Sequence, residues 1–300
     1  MKYREGGYYR FGLAAGLSSF VRNGFSPGFR VSASAVLQPI NSYTRFPEFH
    51  FMEREVAALV EDRGADRPPL RILDVGSPKL FGFILARRYD IDLTTTDINP
   101  LNLDPYVPLW APLRRRARGR VRFELRDARR LSDPDGSYDF VYAMSVVEHI
   151  EGTAGDAAAV REMVRVLKPG GRLAVSVPFG PVFKEQRTGR GDLRFFQRIY
   201  DPCSVEKHIR EPLQGQIDWE NLRTIDRRPS FALRAYHRLR GGLPESLMTA
   251  LGGLNPLASA AFNRDRRGMV EPRIAAYGGF HRFGDIYGDL IFTARKKAGA

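Results

Sequence analysis

Acidic residues at the ends of three short β-rich runs are the first sign of chemistry in this chain. Asp74 and Gly76 end the first run, and Asp97 ends the second, 23 residues after Asp74. Gly76 permits a tight turn that a ligand can approach closely, and the Asp97 carboxylate can accept two hydrogen bonds from a ribose diol. Asp127, after the third run, can accept the exocyclic amine of an adenine. The spacing indicates a nucleoside site, although Asp97 and Asp127 could instead cap the helices that follow.

The residues after Gly76 argue against a dinucleotide. The pattern G-x-G-x-x-G, begun at Gly76, would need glycine where the chain has Pro78 and Phe81. A nicotinamide-dependent oxidoreductase is therefore a disfavoured alternative.

The elements that must position these residues alternate between strand and helix. Strands are predicted at residues 71–75, 92–97, 121–125, 138–144, 172–178 and 289–295, with a weaker one at 221–225. Helices are predicted at 49–63, at 80–88 and within 146–167. The alternation predicts an α/β, Rossmann-like three-layer sandwich with a mostly parallel seven-stranded sheet. Ligands of such sheets bind at the carboxyl ends of the strands, near the topological switch point.

Two further segments indicate which protein family the pattern resembles. Residues 138–150 read YDFVYAMSVVEHI, and residues 167–178 read LKPGGRLAVSVP. Together with the three strand ends, in this order, they resemble class I S-adenosylmethionine-dependent methyltransferases over residues 71–178. The resemblance implies that the last strand runs antiparallel to its neighbours, and that the turn at 168–171 is structural.

The resemblance also implies which residues bind the cofactor, S-adenosylmethionine. The methionine part would be bordered by Asp74, Gly76 and Ser77, the ribose and adenine by Asp97 and Ile98, the adenine edge by Asp127 and Ala128, and the pocket floor by Met144 and Ser145.

The chain departs from the family in its glycine-rich loop. Glycine is usual at the positions that Pro78 and Leu80 occupy here, and Gly82 does not restore the spacing. Because proline has no N–H and a fixed φ, the loop must bind the cofactor by a variant path or bind it poorly. A binding protein on a decayed methyltransferase fold is therefore an alternative.

His149, just beyond the fourth predicted strand, is the candidate catalytic residue. Methyl transfer from a sulfonium depends mainly on alignment, but an oxygen acceptor would benefit from a general base. The alternative is that Glu148 and His149 only start a helix and pack. Some related O-methyltransferases carry E-x-x-E-H here; Ser145 replaces the first carboxylate, so we predict no metal site.

Acceptor recognition is expected outside the shared core. The formal charge is +13, and nearly all the positive charge is arginine, with the densest run at 114–120. Residues 179–200, predicted to be a loop after the fifth strand, interleave aromatic residues with arginine, which suits either an anionic acceptor or a basic lid over the cofactor. Nucleic acid is possible as a partner, but no RNA-binding module or motif favours it.

The sequence predicts an irregular N-terminal arm or cap at 1–48 and one methyltransferase domain at 49–300. Within the domain we expect a core at 69–180, a helical insertion at about 226–284 and the last strand at 289–295. The single cysteine, Cys203, excludes an intramolecular disulfide, and no apolar run is long enough to span a membrane. We expect a cytoplasmic methyltransferase for a small metabolite, glycan or lipid-linked acceptor, with RNA methylation as the alternative.

Overall fold

The computed structural model describes residues 45–63, 67–188, 194–226, 274–276 and 288–299, together with Tyr8 and Phe11. In chain order the helices and strands are α1 (Arg45–Arg63), β1 (Leu70–Val75), α2 (Lys79–Arg88), β2 (Ile91–Asp97), α3 (Tyr106–Leu113), β3 (Arg120–Leu125), β4 (Tyr138–Met144), α4 (Gly155–Arg165), β5 (Leu167–Phe179), β6 (Lys184–Thr188), β7 (Arg194–Ile199), α5 (Pro202–Val205), β8 (Ile217–Asp226), β9 (Ile274–Ala276) and β10 (Gly288–Lys296). Short 3-10 turns lie at Pro100–Asn102, Arg114–Arg116 and Val147–His149.

The main sheet has the strand order β3-β2-β1-β4-β5-β10-β8-β9. The first five of these strands pair in parallel, whereas β10 pairs antiparallel with both β5 and β8. The predicted seven-stranded, mostly parallel sheet with an antiparallel last strand is confirmed. A short eighth strand, β9, extends its edge.

The central strands are apolar along nearly their whole length because helices cover both faces of the sheet. In β1, Leu73 and Val75 belong to one buried cluster with α4, while Leu70 and Ile72 belong to a second cluster with α2 and α3. This period of two is what a strand covered on both faces requires. The sheet therefore forms the middle layer of three.

The N-terminal arm touches the second cluster. Tyr8 is fully buried, its ring packs edge-on against Phe49 at 5.6 Å, and its hydroxyl donates a hydrogen bond to Glu53 of α1. Helix α1 begins at Arg45, four residues before the predicted start. Apart from Tyr8, Phe11 and residues 45–48, the predicted arm lies outside the described part of the chain.

Two stretches differ from the sequence prediction. Residues 179–200, expected to be a loop, contain the antiparallel hairpin of β6 and β7. The insertion at about 226–284, expected to be helical, contributes the strand Ile274–Ala276, and its remaining residues beyond Asp226 lie outside the described ranges. Among the described helices, none has the length and apolarity needed to cross a bilayer.

Candidate functional site

The site begins where β1 and β2 end side by side. Their register pairs Val75 with Thr96, and the Gly76 N–H donates to the Thr96 carbonyl oxygen at 3.0 Å. Gly76 has a φ of +67°, and a Cβ built on it would lie 2.7 Å from Cγ1 of Val146. Glycine is therefore required both by the left-handed backbone and by the packing of the turn.

Asp74 is completely buried beneath this turn. Its carboxylate accepts hydrogen bonds from the Ser77 N–H at 3.0 Å and from the Thr95 hydroxyl at 2.5 Å. Burial raises the pKa of Asp74, and the nearby Lys79 ammonium and the hydrogen bonds oppose that rise. The Asp74 carboxylate thus organises the turn from below.

Lys79, the first residue of α2, places its ammonium between two of the predicted site residues. The side chain is only 2% exposed, and Nζ donates to the Thr96 carbonyl oxygen at 2.8 Å. Nζ lies 3.7 Å from Oδ2 of Asp74 and 3.8 Å from Oδ2 of Asp97. One buried cation is therefore shared by two carboxylates.

Asp97 lies at the tip of β2 with 10% of its side chain exposed. Its Oδ1 accepts the Asn99 N–H at 3.0 Å and the Asn102 amide at 3.2 Å. The 3-10 turn that follows is capped by Asn99, whose side chain accepts from the Leu101 N–H. Ile98 is 65% exposed beside it, as a residue that flanks a bound ring would be.

The residues predicted for the adenine edge lie after β3. Asp127 accepts four hydrogen bonds from three donor groups of Arg129: the backbone N–H, Nε and Nη2 approach its carboxylate oxygens at 2.7 to 3.1 Å. The side-chain hydrogen bond from Arg129 lowers the pKa of Asp127. Both oxygens are already engaged, so an adenine amine would have to compete with Arg129. Ala128 packs on the first buried cluster.

Met144 and Ser145 end β4 across the switch point from Gly76. Met144 is buried, and its N–H donates to the Ser77 hydroxyl at 3.0 Å, which links the two strand ends. Ser145 has a φ of 49°, the one positive value recorded for a non-glycine residue in the described part of the chain. Such a backbone costs energy for a residue with a Cβ and often marks a functional position.

Glu48 of α1 holds this end of β4. It is fully buried and accepts hydrogen bonds from the hydroxyl groups of Ser145 at 3.3 Å and Ser176 at 2.6 Å. A carboxylate from the helix before the core therefore reaches the carboxyl edge of the sheet.

His149 closes the 3-10 turn after β4 and faces the β6–β7 hairpin. Its Nδ1 lies 2.7 Å from the Phe196 carbonyl oxygen, and the two rings are 5.3 Å apart in an edge contact. Because a carbonyl oxygen only accepts, Nδ1 must carry the proton, which leaves Nε2 with the lone pair when the ring is neutral. Nε2 lies 3.9 Å from Glu148, and the imidazole is 41% exposed.

Three residues of this region were not predicted from the sequence: Lys79, Glu48 and Tyr106. Tyr106 is buried on α3, and burial together with the charges of Asp97 and Asp74 raises its pKa. A lysine after proline is expected to be exposed on a loop. Glu48 lies in the predicted arm, where the sequence shows no hydrophobic periodicity, so neither burial was expected. The one sequence feature that could have identified any of them is the positive charge of Lys79 next to the altered glycine loop.

These groups fit a nucleoside cofactor. Asp97 offers a partly exposed carboxylate for a diol, and exposed apolar side chains, Ile98 and Leu125, border it for a ring. Of the predicted residues, the structure brings together Asp74, Gly76, Ser77, Asp97 and Met144, with Ile98 and Ser145 at the rim. Asp127 and Ala128 lie at the neighbouring strand end. Within the described ranges, no group of three potential ligands among His, Cys, Asp and Glu could hold a metal.

Comparison with known proteins agrees with this geometry. Residues 73–175 match the family model described as a methyltransferase domain. The 2-methyl-6-phytyl-1,4-hydroquinone methyltransferase of Synechocystis sp. is 34% identical over 125 residues, which cover 40% of this chain and 36% of that protein. The ubiquinone/menaquinone biosynthesis C-methyltransferase of Azotobacter vinelandii is 29% identical over 132 residues, 42% of this chain and 51% of that protein. The match thus spans about half or less of these relatives.

A solved structure supports the fold alone. The S-adenosylmethionine-dependent methyltransferase of Methanosarcina mazei superposes with a TM-score of 0.50 at 15% identity, over 80% of this chain and 97% of that one. Residues 73–175 are therefore similar to the methyltransferase domain family, and the chain shares the Rossmann-like fold of this solved structure.

Proposed function

We propose that this chain is an S-adenosylmethionine-dependent methyltransferase that acts on a small-molecule acceptor in the cytoplasm. The observation that carries the proposal is the convergence of Asp74, Gly76 and Asp97 at the carboxyl edge of β1 and β2. Relatives named for methylation of hydroquinone and of ubiquinone or menaquinone support a small acceptor.

Each cofactor-binding residue has a physical task. Asp97 would accept the ribose hydroxyl groups, and Ile98 would cover one face of the adenine. Gly76 and Ser77 would border the methionine part, with Met144 and Ser145 as the floor. Asp127 and Ala128 would meet the adenine edge, provided that Arg129 yields its hydrogen bonds to Asp127.

The chemistry needs little from the protein beyond alignment. When bound, the cofactor supplies an already activated methyl group on a sulfonium, which an acceptor lone pair displaces in line. We infer that His149 is the general base for an acceptor that carries a proton. Its Nδ1–H is fixed by the Phe196 carbonyl oxygen, so that Nε2 is the nitrogen able to take the proton.

The parts outside the core would recognise the acceptor. We propose that residues 1–48 form a cap, that residues 49–300 form one methyltransferase domain, and that the insertion at about 226–284 contributes to the acceptor site. Support comes from Tyr8 and Glu48, which dock the arm and α1 on the core. The exposed Phe196 of the hairpin beside His149 suits an apolar or lipid-linked acceptor, and the exposed Arg187 and Arg194 suit an anionic or glycan one.

Calorimetric titration with S-adenosylhomocysteine tests the proposal. The wild-type protein should bind saturably, and Asp97→Ala should weaken binding by roughly thirty-fold, because a charge-assisted hydrogen bond contributes about 2 kcal/mol. Asp90→Ala, an exposed residue just before β2, is the matched control and should bind like the wild type. His149→Asn should also bind, and should lose turnover with any acceptor that must give up a proton.

Two outcomes would redirect the proposal. Absence of binding to a folded wild-type protein would mean that the loop with Pro78 and Leu80 excludes the cofactor, and that the chain is a binding protein on a methyltransferase fold. Undiminished binding to Asp97→Ala would place the nucleoside elsewhere.

RNA is the second candidate acceptor, and one observation favours it. Arg114, Arg115 and Arg116 form an exposed 3-10 turn beside β3, with Arg118 and Arg120 exposed next to it. Arginines on phosphates release counterions, so RNA binding would fall steeply as salt rises from about 50 to 200 mM. Binding that is weak and insensitive to salt would exclude RNA as the acceptor.

A further inference from the structure

Lys79 occupies an unusual place for a cation, inside the proposed cofactor site. Its Nζ lies within 4 Å of carboxylate oxygens of both Asp74 and Asp97, and its side chain is buried. A buried ammonium must be compensated by partners to be tolerated. Here the two carboxylates and the Thr96 carbonyl oxygen provide that compensation.

The turn above Lys79 has few free hydrogen-bond donors. The Gly76 N–H is used by the Thr96 carbonyl oxygen, the Ser77 N–H is used by Asp74, and Pro78 has no N–H. Helix α2 begins at Lys79 without a side-chain cap. Free N–H groups in the loop would place partial positive charge at this turn. Here the side chain of Lys79 supplies the positive charge instead.

We propose that Lys79 is a positioning residue of the cofactor site, and that its charge sets how the site discriminates between cationic S-adenosylmethionine and neutral S-adenosylhomocysteine. This inference rests on the proposed function. Lys79 holds Asp74 and Asp97 in place from below and acts on the ligand through space, because its side chain is not accessible for direct contact.

The charges at the ends of β1 and β2 determine whether loss of the lysine charge favours S-adenosylmethionine or S-adenosylhomocysteine. The Lys79 ammonium lies against the carboxyl groups of both Asp74 and Asp97, and its positive charge offsets negative charge at these strand ends. Two buried tyrosines also face these carboxyl groups. Burial and the charge of Asp74 raise the pKa values of Tyr106 and Tyr142, and Asp97 further raises that of Tyr106, so both stay neutral. Removing the lysine charge would make the site more negative and favour the cationic ligand.

The two ligands differ only by one methyl group and one positive charge, so the ratio of their dissociation constants reports the charge of the site. In Lys79→Met, affinity for S-adenosylmethionine should rise roughly ten-fold relative to that for S-adenosylhomocysteine, because losing the lysine charge removes a repulsion that only the cationic ligand experiences. Lys79→Gln, which can still donate to the Thr96 carbonyl oxygen, should change the ratio in the same direction.

Calorimetric titration of both ligands into the full chain measures the ratio. Lys168→Met is the matched control, because Lys168 pairs with Asp139 at 2.8 Å, near the start of β4, and its loss should leave the ratio unchanged. Lys79→Arg keeps the charge and the buried pairing, so its ratio should also remain at the wild-type value. This variant tests the inference even if the neutral variants do not fold.

The outcomes separate the two proposals. If the wild type binds neither ligand, the proposed function fails. If the wild type binds both ligands and the neutral Lys79 variants keep its ratio, or if Lys79→Arg changes the ratio ten-fold, Lys79 is only a structural residue and the inference is overturned while the cofactor assignment stands.

Discussion

Gly76 meets two constraints at a single residue. Its φ of +67° lies in the left-handed region, and an added Cβ would overlap Cγ1 of Val146 at 2.7 Å. Gly170 has a similar φ of +77°, but nothing lies within 4 Å of its virtual Cβ. Comparing substitutions at the two glycines therefore distinguishes the cost of backbone strain from the cost of steric overlap.

Gly76→Ala should lower the free energy of unfolding by about 3 kcal/mol, the sum of left-handed strain and overpacking. Gly170→Ala should cost about 1 kcal/mol, because only the strain applies. Urea denaturation of the two variants measures both values. Adding Val146→Ala to Gly76→Ala should restore part of the loss, and equal costs for the two glycine variants would contradict the role of Val146.

The residues at the strand ends differ in how well the sequence could predict them. Asp74, Gly76 and Asp97 were recognisable because each has a fixed offset from the end of an apolar run. Lys79 was not, since its buried ammonium depends on Asp97, which is distant in sequence but places Oδ2 3.8 Å away at the end of β2. Asp127 was predicted as a ligand group, but the sequence could not show that Arg129, two residues later, would engage both oxygens.

Among the helices and strands, the β6–β7 hairpin is tied to the core by a buried arginine. Arg198 of β7, whose side chain is 2% exposed, donates to the carbonyl oxygens of Ile150 at 2.7 Å and Gly152 at 2.6 Å. It also lies 3.6 Å from Asp156, a buried residue at the start of α4. The hairpin, the turn after β4 and helix α4 therefore share one polar network.

Arg198→Met should destabilise the protein by about 3 kcal/mol or more, because methionine fills the space but leaves two carbonyl groups without their donor and the buried Asp156 without a nearby positive charge. Arg122→Met is the control: Arg122 pairs with Asp92 at 3.0 Å, but its side chain is 50% exposed, so the cost should be about 0.5 kcal/mol. Chemical denaturation of the purified variants gives both values. Similar costs would show that the network does not hold the hairpin.

Elements with strong local signals were predictable, and those that depend on distant partners were not. The bounds of β4 were predicted to the residue, and β1, β2 and β3 were predicted one residue short at their starts. The hairpin was not predicted, because Arg198 looks like a solvent-facing residue until Ile150, 48 positions away, is seen beside it. The same limit applies to β9, a strand of three residues that exists by pairing with β8.

At the scale of the whole molecule, ligand groups and stabilising charges occupy different ends of the sheet. The groups proposed to bind the nucleoside lie at the carboxyl ends of β1, β2 and β4. Asp139, near the start of β4, joins three other elements through the Arg71 N–H at 2.8 Å, Lys168 at 2.8 Å and Arg63 at 3.1 Å. A change at Asp139 should therefore affect stability without touching the ligand groups.

Asp139 also gives the stability of the whole chain a defined dependence on pH. Burial alone would raise the pKa of Asp139, but the hydrogen bonds from Lys168, the Arg71 N–H and Arg63 outweigh burial and hold it below its ordinary value. A carboxyl group with a lowered folded-state pKa stabilises the protein above its unfolded-state pKa of about 3.9, and this contribution is lost as pH falls through the folded-state value.

Asp139→Asn should therefore lower the free energy of unfolding by about 2 kcal/mol near neutral pH, where charge-assisted hydrogen bonds are lost. The difference from the wild type should shrink as the pH falls below about 4, because the wild-type carboxylate then becomes protonated as well. The net charge of +13 grows on acidification and destabilises every variant alike, so the comparison between variants removes it. Urea denaturation across this range, with the exposed Asp62→Asn as control, measures the effect. A difference that stays constant with pH would mean that Asp139 acts through its shape and not through its charge.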